Sequence, residues 1–172
     1  MPTKKGAGGR QQNYDPRTGR FAKTDYTKLY QPKLLSKKEK ARKREEERRK
    51  SLFNRAKNSS DPFLFDVFCE IERNLPGAVQ FVNEKVIDPF LGQKREFDIM
   101  TKKCIIEVKS GEASRRLKQL QGQKKYAESR NKCHILYAPD IRLATKKDYE
   151  KNGIMIKTTT KELIQQIKEN EQ

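Results

Sequence analysis

The first 60 residues of this 172-residue chain carry too little apolar surface to make a core, so its fold has to be built from residues 61–172. Residues 1–35 are poor in aliphatic side chains and rich in Gly, Lys, Arg, Gln and Thr, which cannot offset the entropy lost on ordering. Disorder is expected there. From Ser36 to Ala56, strong helix formers carry acid–base pairs three and four apart but no apolar stripe, so an exposed helix is expected. These patterns divide the chain into a basic tail, 1–58, disordered and then helical, and a folded domain, 59–172.

The charge balance narrows the partner. Lys and Arg number 40 against 23 Asp and Glu, a net +17 that favours a polyanion, nucleic acid before any other. Residues 1–60 hold 19 basic and 6 acidic side chains, and the rest hold 21 and 17. A basic segment beside a folded domain suits phosphate contacts that hold a nucleic acid without reading its sequence. Cys69, Cys104 and Cys133 are too few and too widely spaced for a disulfide framework or a zinc cluster, and are expected as reduced core residues. The single histidine, His134, excludes mechanisms that need a pair, and its apolar neighbours make it a strand residue. Lys4, Lys5 and a Gly-rich patch stand where a signal peptide would be apolar, and no run of about 18 apolar residues occurs. A cytoplasmic location without a membrane span is the expectation.

Asp61-Pro62 is a helix start, and Leu64, Val67, Phe68, Ile71 and Leu75 form an apolar stripe ended by Pro76-Gly77. A strand over about 78–86, a loop through Asp88-Pro89 and Gly92, and two further strands, 95–100 and 103–109, follow. A helix from about 112 to 129 buries Leu117, Leu120 and Ala127, and a strand over 133–138 stops at Pro139-Asp140. The remainder alternates helix, strand and helix. The predicted fold is α/β, a mixed sheet flanked by helices in the order α-β-β-β-α-β-α-β-α.

Within this frame one charged set stands out. Glu107 and Lys109 are two apart on a strand and share a face, while Ile106 and Val108 take the other. A two-residue turn at Thr101-Lys102 or at Lys102-Lys103 puts Asp98 on that same face, whichever register is chosen. Two carboxylates roughly 5 to 8 Å apart on neighbouring strands repel unless a cation lies between them. Oxygen donors suit Mg²⁺ or Mn²⁺, which can activate water and neutralise a phosphate, and an adjacent ammonium can orient the water or stabilise developing charge.

Arg95-Glu96-Phe97-Asp98-Ile99, a short turn and Ile105-Ile106-Glu107-Val108-Lys109-Ser110-Gly111 resemble the signature of the PD-(D/E)XK nucleases. The element order over 61–139 is similar to the αβββαβ core of that restriction-endonuclease-like superfamily. The resemblance implies Asp98 and Glu107 as metal ligands, the Val108 carbonyl as a third, and Lys109 as catalytic lysine, with Mg²⁺ or Mn²⁺ as cofactor. Phe97 stands where the family name has proline. The family often adds an acid from its first helix, for which Asp66, Glu70 and Glu72 compete. At about 100° per residue Glu72 lies roughly 85° from the centre of the apolar stripe and Glu70 roughly 115°, so Glu72 is the choice. The family also supplies a glutamine from the helix after the lysine, here Gln119 or Gln123.

The expected function is therefore metal-dependent hydrolysis of phosphodiester bonds, in DNA before RNA. The rival from another class is a noncatalytic basic nucleic-acid-binding protein. Asn13-Tyr14-Asp15-Pro16-Arg17-Thr18-Gly19-Arg20-Phe21 looks like the turn motif of linkers ahead of toxin domains and of some phage proteins, or is simply a polar turn. It keeps open a toxin effector acting on DNA or tRNA, delivered into another cell and held by an immunity protein, beside a phage or mobile-element enzyme. A homodimer is likewise left open.

Overall fold

The computed structural model describes residues 36–87, 92, 94–111 and 117–172, together with two short strands at 14–15 and 20–21. It divides into two compact units, Met1–Arg42 and Lys43–Gln172. In the first, β1 (Tyr14–Asp15) and β2 (Arg20–Phe21) pair antiparallel with Tyr14 opposite Phe21. These four residues correct the expectation of disorder over 1–35; the rest of that stretch lies outside the described residues, as does most of the loop expected through Asp88-Pro89.

Helix α1 (Lys37–Lys57) starts at a reciprocal cap, in which Glu39 N–H donates to Ser36 Oγ and Ser36 N–H donates to the Glu39 carboxylate. Its second half is not the free charged rod expected from the sequence. Leu52 and Ala56 are buried in the core, Phe53 meets Phe65 edge-on at 5.3 Å, and Arg48 donates to the carbonyl of Val79. Two small or aliphatic residues one turn apart suffice to dock a helix whose composition is otherwise charged. The compact unit therefore begins at Lys43, and the boundary placed at 58/59 moves with it.

Helix α2 (Pro62–Asn74) follows the sequence reading closely. The Asp61 carboxylate accepts from Phe63 N–H, Pro62 takes the first turn, and Leu64, Val67, Phe68 and Ile71 are buried. Strands β3 (Val79–Ile87), β4 (Lys94–Thr101), β5 (Cys104–Val108), β6 (Cys133–Tyr137) and β7 (Met155–Lys157) form one sheet in sequential order. The first three run antiparallel and the last two join in parallel, so the sheet is mixed. Helices α3 (Leu117–Ser129), α4 (Leu143–Lys151) and α5 (Thr160–Glu171) complete the expected order. α1, α2 and α5 cover one face over Val82, Ile99, Ile106 and Ile135, while α3 and α4 cover the other over Ile105, Leu136 and Ile156. β5, in the middle, is buried at every residue, which is why its sequence is almost continuously apolar.

Of the two registers open in the sequence, the structure takes the turn at Lys102-Lys103, with Ile99 opposite Ile106 and Met100 opposite Ile105. Thr101 holds it there. Its hydroxyl accepts from Cys104 N–H and donates to the Glu171 carboxylate, which also accepts from Lys103 N–H. The topology also brings Cys104 and Cys133 together as neighbours on parallel strands, both as free thiols, which their spacing in sequence does not show. No helix among the described residues is long and apolar enough to cross a membrane.

His134 is a strand residue, as expected, and neither ring nitrogen has a hydrogen-bond partner among the described residues. Burial, with the nearby Lys124 charge, pulls its pKa from 6.5 to about 4. A lowered histidine contributes full stability above its unfolded value and loses it as pH falls from 6.5 through about 4. That window is worth roughly 3 kcal/mol. His134→Leu is expected to flatten the acid side of a pH–stability profile from urea titrations; an unchanged profile would mean the ring is solvated. Leu52→Ala should cost about 2–5 kcal/mol as a core truncation. A chain starting at Lys43 should keep the parental denaturation midpoint, while one starting at Ser59 should not. A Leu52→Ala loss below about 0.5 kcal/mol would return α1 to the surface.

Candidate active site

β4 and β5 stop pairing just where their charged residues begin. Ile99 opposite Ile106 is the last ladder pair, and continuing the register one step sets Asp98 level with Glu107. There the Asp98 side chain intervenes: its Oδ2 accepts the backbone N–H of Val108 at 2.7 Å. β5 meanwhile continues against β6, with Lys109 N–H donating to the Tyr137 carbonyl, and β4 continues against β3. The two strands diverge into a fork with a carboxylate in its mouth. Asn83, which falls between the Val82–Ile99 and Glu84–Phe97 pairs, adopts φ +49°, a left-handed conformation that asparagine tolerates.

The three residues singled out in the sequence converge here. Lys109 Nζ lies 2.7 Å from Glu107 Oε1 and 3.8 Å from Asp98 Oδ2. Glu107 is 3 % exposed, and its other oxygen accepts from Gln123 Nε2 of α3 at 2.8 Å. Gln123 is thus the glutamine that reaches the site, its own Oε1 buried without a partner among the described residues. Gln119, one turn earlier, is exposed in a neighbouring groove and is not brought to the carboxylates.

Burial and the Glu107 charge push the Asp98 carboxyl up to about 7, against the opposing pull of Lys109 and the Val108 N–H. The pair is short of positive charge even with one ammonium between its members. Beside it lies a depression of about 480 Å³, lined by Asp61, Asn83, Glu96, Asp98, Val108 and Lys109 among others. Asp98 and Asp61 bring carboxylates to this depression and Val108 lines it, whereas Glu107 does not line it and its two oxygens already meet Gln123 and Lys109. Oxygen donors of this kind suit Mg²⁺ or Mn²⁺. Among the described residues no three His, Cys, Asp or Glu side chains converge closely enough to hold a metal on their own.

The acid chosen from the first helix is corrected. Glu72 accepts from the backbone N–H groups of Gly77 and Val79, closing the turn between α2 and β3. Val79 pairs with Thr101, three residues along β4 from Asp98, so Glu72 serves the far end of the sheet. Glu70 pairs with Arg73, and Asp66 is exposed outside the depression. The residue capping this helix takes that place instead: Asp61, the N-cap, lines the depression, and its charge adds to the upward push on Asp98. Helical periodicity could not find it, because a cap lies outside the helix whose faces periodicity describes.

Comparison with protein-family models, with curated proteins and with solved structures finds no match to this chain.

A carboxyl raised on folding contributes stability that is full below its unfolded pKa, 3.8, and lost as pH rises through about 7. Asp98→Asn in metal-free buffer should therefore melt at or above the parental temperature at pH 8, with the advantage shrinking toward pH 5. A variant less stable than the parent at pH 8 would show that Asp98 acts as a stabilising partner of Lys109 and Val108 rather than as a strained acid.

Proposed function

We propose that this chain is a metal-dependent nuclease of the PD-(D/E)XK type, hydrolysing phosphodiester bonds in DNA before RNA. The observation that carries the reading is the convergence of Asp98, Glu107 and Lys109 at the fork between β4 and β5. The order α2-β3-β4-β5-α3-β6 supports the restriction-endonuclease-like core, and the net +17 supports a polyanionic substrate.

Asp98, Glu107 and the Val108 carbonyl would hold Mg²⁺ or Mn²⁺. When bound, such an ion lowers the pKa of water and neutralises charge on the scissile phosphate. The chain's own groups do the rest. Gln123 pins the Glu107 carboxylate by one oxygen, leaving the other toward Lys109. The Val108 N–H pins Asp98 Oδ2, and Asp98 lines the depression. Lys109 is three-quarters buried between the carboxylates. Its ammonium is placed to orient the attacking water or to meet negative charge growing on the phosphate oxygens as the bond to the leaving oxygen breaks.

The competing reading, a noncatalytic nucleic-acid binder in which Lys109 only neutralises a buried acid pair, predicts binding without turnover. A panel of plasmid, linear duplex, single-stranded and branched DNA and tRNA, with Mg²⁺ or Mn²⁺, separates the two. Cleavage should be abolished by a chelator and should fall at least about 100-fold in Asp98→Asn, Glu107→Gln and Lys109→Met. Glu72→Gln should keep the parental rate and lose thermal stability. Chelator-resistant cleavage, or parental rates in Asp98→Asn, would sink the site.

A further inference from the structure

A second depression, of about 610 Å³, lies on the other side of β4, between its first residues and helix α3. Lys94, Arg95, Lys118 and Lys125 wall it, with Glu96 as its one acid among the described residues. Glu96 belongs to both depressions and so forms the ridge between this groove and the hollow of Asp98 and Lys109; Lys85 stands 3.9 Å from its carboxylate. Four cations thus stand against one acid among the described residues of the groove. The Arg95 guanidinium lies over Gly122, 2.8 Å from where a Cβ would stand. Gln123 lines the same groove while its amide holds Glu107, which ties the groove floor to the site.

We propose that this groove binds the phosphodiester backbone flanking the scissile phosphate, so that a nucleic-acid strand crosses the Glu96 ridge from the Asp98–Lys109 hollow onto α3. The inference rests on the nuclease reading for its direction, and it assigns Lys118 and Lys125 as phosphate contacts. An acidic protein segment is the other polyanion such a groove could take, and the strand is favoured because the groove shares a wall with the hydrolytic centre.

The test uses the full chain with Lys118→Gln and Lys125→Gln together, both residues being exposed. A charge-matched control carries Lys147→Gln and Lys151→Gln on α4, also exposed. Affinity for a fluorescein-labelled DNA duplex and single strand is measured in chelator over a range of salt. Losing two phosphate contacts should lower the slope of log affinity against log salt by about 1.4 to 1.8 in the groove variant and leave the control unchanged. In Mg²⁺ the groove variant should show a raised KM with kcat retained. An unchanged slope, or an equal loss in the control, overturns the proposal and leaves the groove to an acidic protein partner. Absence of cleavage by the parent would sink the nuclease reading alone, because the slopes still report whether the groove holds the strand.

Discussion

The hydrogen bond from Val108 N–H to the Asp98 carboxylate decides the shape of this molecule's most charged region. A backbone donor at the end of a buried strand has to be satisfied, and it normally takes a carbonyl of the neighbouring strand. Here a side chain takes it, so β4 is released from β5 without leaving an orphan, and the sheet opens into a fork. The same contact fixes Asp98 level with Glu107. Burial first, and then repulsion from Glu107, hold the Asp98 carboxyl above its ordinary range, and Lys109 and the Val108 N–H offset this only in part.

The sheet keeps its two ends chemically distinct. At the fork, two buried carboxylates share one ammonium, so negative charge is left under-neutralised. At the opposite end, Thr101, Glu171 and Lys103 form a closed set of hydrogen bonds around the β4–β5 turn, and Lys132 donates to two carbonyls of that turn. Glu72 similarly completes the α2–β3 turn. Groups at this end have partners and are structural. Rigidity there holds the strands that carry the fork.

Helix α1 shows how composition can mask packing. Its charge density is that of a solvated rod, and over residues 37–44 the sequence supports nothing else. Yet Leu52 and Ala56 sit one turn apart on the face turned to α2 and the sheet, and with Arg48 they join a basic segment to the core. A stripe this short falls below what a hydrophobic-periodicity argument detects, although burying even one leucine is worth about 1.5–3 kcal/mol.

Local patterns determined much on their own. The stripe of Leu64, Val67, Phe68 and Ile71, the Asp61-Pro62 start and the apolar run of β5 are decided by side chains within a few residues of one another, so element type and order are legible from the chain alone. The shared face of Glu107 and Lys109 follows from strand alternation, but Asp98 does not follow it, because Phe97 packs under α3 and Ile99 under α2, so alternation is broken between them. The structure decided what depends on residues far apart in sequence. Thr101 with Glu171 holds the turn register, and the Val108 contact to Asp98 stands where the β4–β5 ladder ends. The run of α2 relative to β4 put Asp61 rather than Glu72 beside the site. Crossover packing brought Gln123 rather than Gln119 to Glu107, and set Cys104 beside Cys133. Periodicity gives each side chain a face of its own element, and only the packing of elements against one another says which end of that face meets which neighbour.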